Sequence, residues 1–332
     1  MNRSALHALA LPAAVLLSAT LLSGCAEDKD EAPAASRAVG YPVKLDNCGT
    51  QVQLDAAPER IVTIKSTTTE LALALGLGER IVGTAFSDGP VLEEYADQAA
   101  DLPVLSDQAP SKEVVLEAEP DFVFAGWESN LAADTAGERA DLAKLGVGSY
   151  VAPSACQEPE YQPKKMTFPL LFEQFREAGE VFGVGDRADD LVAEQEAALA
   201  QVGKAVDGTT ALWWSSGEDT PFVGGTIGAP QMVLDAVGLS NIVTEKATWT
   251  SYGWEAIIEA DPDVIVLVDA AWNPAADKIK TLESTAATKN LTAVKGKRYL
   301  VIPFPAAEAG VRSVAAAGDL AGQLDDLGLL KG

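Results

Sequence analysis

From residue 41 onward, short β-branched runs alternate with stretches of helical periodicity. Residues 41–54 read as a small hairpin turning at Asn47-Cys48-Gly49. Segments 61–64, 81–85, 121–125 and 148–152 then read as buried strands. Helices are predicted at 69–75, ended by Gly76, and at 112–117. The pattern restarts later, with strands at 210–214, 264–269 and 298–302 and helices at 231–237, 255–259 and from about 309. Between the halves, 168–182 and 188–206 carry helical periodicity, broken at Gly183-Val184-Gly185. The second segment runs without Gly or Pro to Gly203, so 186–206 is predicted to connect two lobes, 41–182 and 207–332. Strands separated by helices imply parallel sheets covered on both faces. The expected fold class is therefore α/β: two Rossmann-like lobes joined by one long α-helix, with a ligand cleft between them.

An internal repeat supports the division. Glu113-Val-Val-Leu-Glu117-Ala118-Glu119-Pro120-Asp121 matches Glu255-Ala-Ile-Ile-Glu259-Ala260-Asp261-Pro262-Asp263. Each copy leads into an apolar strand and then a tryptophan, Trp127 or Trp272. A short helix is stopped by Pro, and Asp opens the strand, which gives most of these acidic residues a structural role.

The first residues read as an address. Arg3 precedes an apolar run at 5–22, which ends in Leu22-Ser23-Gly24-Cys25. That tetrapeptide resembles the bacterial lipoprotein box, whose cysteine is acylated. Pro12 and the acidic stretch that follows favour cleavage over a membrane span. Residues 1–24 are then a signal peptide, Cys25 a lipid anchor, and 25–40 a flexible tether. The 332 residues carry 24 Lys+Arg against 49 Asp+Glu, a formal charge of -25. Such a field disfavours nucleic acid and anionic lipid. The one histidine is His7, so cleavage leaves none. Histidine-ligated zinc or haem and Ser-His-Asp catalysis are then excluded. No cofactor or metal is expected. Export permits disulfides, and Cys48 and Cys156 read either as one bridge or as two buried thiols.

Ligands in open α/β sheets bind beyond the carboxyl ends of the strands. Lys65, Ser66, Thr67 and Thr68 follow one strand end and open a helix, where free N–H groups attract an anion. Ordinary helix capping explains the same residues. Phe86, Trp127, Glu128, Trp214, Trp249, Tyr252 and Trp272 fall at strand ends or in loops and join the candidate ligand-binding set. Trp127 and Trp272, equivalent in the two lobes, would sandwich a planar ligand; core packing is the plainer reading of a tryptophan. Trp213 and Trp214 point to opposite faces of a strand, so at most one faces a cleft. Arg312 would meet an acidic group. Gly183-Val184-Gly185-Asp186-Arg187-Ala188 follows a helix, so it reads as a turn and not a dinucleotide fingerprint.

Pro58-Glu59-Arg60-Ile61-Val62-Thr63-Ile64, Thr69-Glu70-Leu71, Ala74-Leu75-Gly76-Leu77 and Ile81-Val82-Gly83 resemble the siderophore/haem/cobalamin-binding class of ABC-importer lipoproteins. The repeated acidic motif is typical of the same class. Within it, Ile64-Lys65-Ser66-Thr67-Thr68-Thr69-Glu70 and the segment Pro303 to Arg312 look like a subgroup assigned to a deazaflavin coenzyme precursor. The resemblance implies a monomeric binding protein, not an enzyme, anchored to the outer face of the bacterial membrane. Its cargo would be a deazaflavin precursor, a ferric siderophore or a cobalamin. It also implies docking to an ABC permease dimer and its ATPase through one glutamate per lobe, here Glu113 and Glu255. The rival reading, an exported hydrolase, lacks a Gly-x-Ser-x-Gly elbow or a Ser-x-x-Lys.

Overall fold

The computed structural model describes residues 40–332. Strands β1 (Val43–Asn47) and β2 (Thr50–Leu54) form an antiparallel hairpin. Its two turn residues, Cys48 and Gly49, both have positive φ, 51° and 77°. That is the turn type whose twist suits a two-residue hairpin.

The first sheet contains β3 (Ile61–Ile64), β4 (Ile81–Ala85), β5 (Val104–Ser106), β6 (Phe122–Ala125) and β7 (Gly148–Val151). Its order is β5-β4-β3-β6-β7 and every pairing is parallel. The second sheet contains β8 (Thr210–Ser216), β9 (Phe222–Gly224), β10 (Ser240–Asn241), β11 (Trp249–Ser251), β12 (Val264–Asp269) and β13 (Tyr299–Pro303). Here β8, β12 and β13 are parallel, while β9 runs antiparallel to β8 and β11 antiparallel to β9. The order is β11-β9-β8-β12-β13, with β10 beside β8. The first lobe's five-stranded sheet is therefore all parallel, and the second lobe's sheet ends in an antiparallel edge that the sequence pattern did not indicate.

The repeat has a geometric cause in both lobes. Glu119 and Asp261, each preceding the proline, adopt left-handed backbone at φ 47° and 42°. The chain there leaves a helix and turns sharply into β6 or β12. The Asp121 carboxylate then accepts hydrogen bonds from the Glu59 and Arg60 amides at the head of β3. Asp263 accepts from the Thr210 amide and hydroxyl at the head of β8. Each aspartate so fixes the register of its strand against the neighbouring one.

Two helices of 15 residues follow β7, Phe168–Phe182 and Gly185–Leu199, matching the two periodic segments, though the second was expected to span 186–206 and to connect the lobes by itself. Gly183 separates them in left-handed backbone at φ 72°, a conformation that favours glycine. Met166, just before the first helix, donates its amide to Ile227 of the second lobe. The far end of that helix meets the first lobe, where Tyr41 Oη donates to the Val181 carbonyl and Arg80 to the Phe182 carbonyl. The second helix starts there too, with Arg187 on the Ala74 carbonyl, and it ends at Leu199, not at 206. Beyond it, Ala205 bonds to Val237 in the second lobe.

One contiguous apolar cluster runs from Ile61 and Phe124 through Phe172 and Phe175 to Trp213 and Val266. Separate clusters fill the outer faces, around Val62 and Val123 in the first lobe and around Trp214 and Ile265 in the second. Alternate strand residues thus serve opposite faces. Cys48 and Cys156 are bonded, which settles the earlier alternative and ties the hairpin to the segment after β7. The signal at 1–24, the tether up to residue 39 and the acylation of Cys25 lie outside the described residues. Among the described residues, no helix is long and apolar enough to cross a membrane.

Candidate functional site

A cleft of about 510 Å³ lies between the lobes. Thr67, Gly126, Trp127 and Ser129 line it from the carboxyl ends of β3 and β6. Gly228, Thr248, Trp249 and Glu308 line it from the second lobe. A third wall comes from the segment between β7 and helix Phe168–Phe182, with Ser154, Cys156, Gln157 and Gln162. Gly126 is required by close approach: a β-carbon there would sit 2.7 Å from Lys65 Cβ and 2.8 Å from Thr67 Oγ1.

The expected anion site exists, and the protein fills it itself. The Asp88 carboxylate lies at the N-terminus of helix Ser66–Ala74, where Oδ2 accepts from the Ser66 amide at 3.4 Å. The Asp88 amide donates back to Ser66 Oγ at 2.8 Å. Lys65 Nζ is ion-paired to Asp88 Oδ1. Its ammonium also sits 3.6 Å from the centre of the Trp127 ring, 4.4 Å from Phe86 and 5.3 Å from Phe304. Lys65 is 0% exposed and has φ 88° and ψ 150°, a region that side-chain-bearing residues rarely occupy. The ion pair and the aromatic cage hold it there. Lys65 is therefore not free to meet a ligand anion, contrary to expectation.

Arg312 is engaged as well. It reaches from the second lobe to Glu70 of the first, with Nε 2.7 Å from Oε2 and Nη2 against Oε1. Nη2 also donates to the Pro90 carbonyl. Glu70 is 1% exposed. This pair links the two lobes, and Arg312 is not among the residues that line the cleft.

The remaining candidates divide. Thr67, Trp127 and Trp249 face the cleft. Ser66 is held by Asp88, and the Thr68 hydroxyl donates to the Ile64 carbonyl, so neither lines it. Phe86 packs edge-on against Trp127 behind the wall. Glu128 accepts from the Gln157 amide and so fixes the third wall without lining the cleft. Trp214 is buried in the outer core against Trp254, its indole donating to the Ser216 carbonyl, and it has no access to ligand. Tyr252 packs on the same outer core. Trp272 is 64% exposed and packs edge-on against Phe304, so the expected sandwich with Trp127 does not form. Trp249 instead stacks on Phe222, with ring planes 15° apart.

Two residues escaped the sequence reading, Asp88 and Glu308. Glu308 Oε1 accepts from Trp127 Nε1 at 2.8 Å, a second bond between the lobes. Burial pushes its carboxyl up to about 7; the charge of Asp88 adds to that, while Lys65 and the Trp127 hydrogen bond oppose it. Among the described lining residues, Glu308 is the one with an ionisable side chain. Glu308 stood inside the segment 303–312, where nothing in a single carboxylate among 49 acidic residues marks it. Glu113 and Glu255 are exposed in the first turns of equivalent helices, Lys112–Glu117 and Trp254–Ala260. The backbone amide at Glu113 and, less strongly, the Ser111 side chain lower the Glu113 carboxyl.

A family model described as periplasmic binding protein matches residues 61–306. The uncharacterized ABC transporter substrate-binding lipoprotein YvrC of Bacillus subtilis (strain 168) is 26% identical over 320 residues, covering 93% of this chain and 94% of that protein. A cobalamin-binding protein of Halobacterium salinarum is 26% identical over 249 residues, covering 70% and 60%. Among solved structures, a periplasmic binding protein from Veillonella parvula superposes with a TM-score of 0.75 at 25% identity, covering 85% of this chain and 97% of that one. Two lobes, a cleft walled by both and a match over most of the folded chain lead to one assignment: this protein belongs to the periplasmic binding protein family, as a non-enzymatic ABC transporter substrate-binding protein.

Proposed function

We propose that the protein captures a corrinoid outside the cytoplasm and delivers it to an ABC permease. The observation that carries this reading is the character of the cleft. Trp127 and Trp249 give it aromatic surface, and Thr67, Ser129, Gln157, Gln162 and Thr248 give it uncharged hydrogen-bonding groups. Among the described lining residues none is cationic, since Lys65 and Arg312 are spent on Asp88 and Glu70. A corrin ring rimmed with amides suits such a wall. Haem propionates or a catecholate chelate would enter without a counter-charge, and haem iron would find no histidine or tyrosine among these residues. A flat, partly anionic deazaflavin precursor loses both the expected sandwich and the expected cations. The cobalamin-binding relative supports the same choice.

Delivery would use Glu113 and Glu255, exposed at matching places in two pseudo-equivalent lobes, as a symmetric partner requires. Cleavage of the signal and acylation at Cys25 would keep a monomeric binding protein, on its tether, at the outer face of the membrane. A thermal-shift panel tests the cargo. Cyanocobalamin at 100 times its Kd should stabilise the fold by about 2.7 kcal/mol. Stabilisation by haemin, a ferric hydroxamate or a deazaflavin precursor, with none by cyanocobalamin, would overturn the assignment.

A further inference from the structure

We propose that Glu308 is the charge-selecting residue of the cleft, a carboxylate that receives a cationic group of the cargo. The inference rests on reading the cleft as a corrinoid site and adds to it which corrinoids are preferred.

Glu308 stands on the cleft wall, and one of its oxygens is held by Trp127 Nε1 at 2.8 Å. That bond fixes the carboxylate where the two lobes meet. Its second oxygen accepts no hydrogen bond from the described residues. The charges around it come from three elements. Lys65 follows β3, Asp88 follows β4, and Arg312 lies four residues beyond Glu308. Lys65 is paired with Asp88, and Arg312 with Glu70. Each pair sums to zero, so ionised Glu308 leaves this part of the wall with one net negative charge. A neutral amide at this place would supply the same acceptor without the charge.

The high pKa of Glu308 makes the selection depend on pH. Below about 7 the free cleft holds a proton on this carboxyl, and a cationic group must displace it. Affinity for a cationic cargo therefore rises as pH rises toward that value, by up to about tenfold per pH unit for one proton released. A neutral cargo releases none, and its affinity stays flat.

Two corrinoids of the same ring separate the charge from the shape. Aquacobalamin carries a positive charge at its cobalt–water unit, and cyanocobalamin is neutral. Both are titrated by calorimetry into the wild-type chain and into Glu308→Gln, between about pH 5 and about pH 7. The wild type should bind aquacobalamin more tightly than cyanocobalamin at the upper pH, with affinity for the cation falling as the pH is lowered. Glu308→Gln should lose both the preference for aquacobalamin and its pH dependence, so that the two corrinoids bind alike. Equal, pH-independent binding of the two by the wild type would overturn the role of Glu308 and leave the corrinoid reading standing. Binding of neither by the wild type would overturn both. Loss of cyanocobalamin binding in Glu308→Gln, with an unchanged circular dichroism spectrum, would make Glu308 a general wall residue and overturn its role in selection.

Discussion

Arg312 shows how a side chain can be placed well and still be misread. The sequence puts a cation at the head of the last helix, near the strand ends, and that much the structure keeps. Its partner Glu70 lies 242 residues away, on the other lobe. No local spacing reveals such a pair. The same holds for Lys65, whose charge Asp88 takes from a loop 23 residues on. Both cations are parts of the frame, and the cleft is left with uncharged groups and Glu308. Arg312→Ala would leave the buried Glu70 carboxyl group without its partner, a change that typically costs about 3–5 kcal/mol. Denaturant unfolding should show that loss. The double variant Glu70→Gln with Arg312→Met should recover much of it, because no charge is then stranded. A single Arg312→Ala as stable as wild type would mean the interlobe pair does not hold the lobes.

At the scale of elements, long periodic segments were legible and short edges were not. Strands at 61–64, 81–85 and 264–269 and the helix at 168–182 coincide with the sequence reading, because each carries an unbroken apolar pattern. Strands β9 and β11 have three residues each, too few positions for an alternation to register. Yet β11 carries Trp249 to the cleft, so the missed edge helps build the site. Gly183 was seen as a break and the helix beyond it as the connection, but the first helix, Phe168–Phe182, was assigned to the first lobe and not expected to share that role. The segment between β7 and the first of these helices forms one wall of the cleft with a single 3-10 turn, Pro153–Ala155, and no strand or α-helix. Its fixed points are the Cys48–Cys156 bond, the Glu128–Gln157 hydrogen bond and the Met166–Ile227 backbone bond. The Cys48–Cys156 bond joins residues 108 apart in sequence, and closing a loop of that length contributes roughly 4–5 kcal/mol in the chain-entropy account. Reduction should therefore lower the unfolding midpoint and, at temperatures where the fold persists, weaken cargo binding. Undiminished affinity in the folded, reduced protein would show that the wall holds its shape without the bridge.

For the whole molecule, the two lobes are alike where the sequence repeats and different where it does not. The helix–Pro–Asp–strand units match down to the left-handed residue before each proline and the carboxylate that caps the neighbouring strand. That likeness leaves Glu113 and Glu255 exposed on equivalent helices. Replacing both with alanine should abolish uptake in cells and leave cargo affinity unchanged. A fall in affinity would tie these residues to the cleft instead of to the permease. The lobes differ at the cleft, where one contributes Trp127 with its caged lysine and the other Trp249 and Glu308. The cargo meets two unlike walls, and the permease would meet two like surfaces. The central claim concerns what lies between those walls, and calorimetric titration of the full chain with cyanocobalamin tests it most directly. One corrinoid should bind per chain with micromolar affinity or tighter. No heat with cyanocobalamin, and saturable binding of an anionic chelate or a deazaflavin precursor in its place, would contradict it.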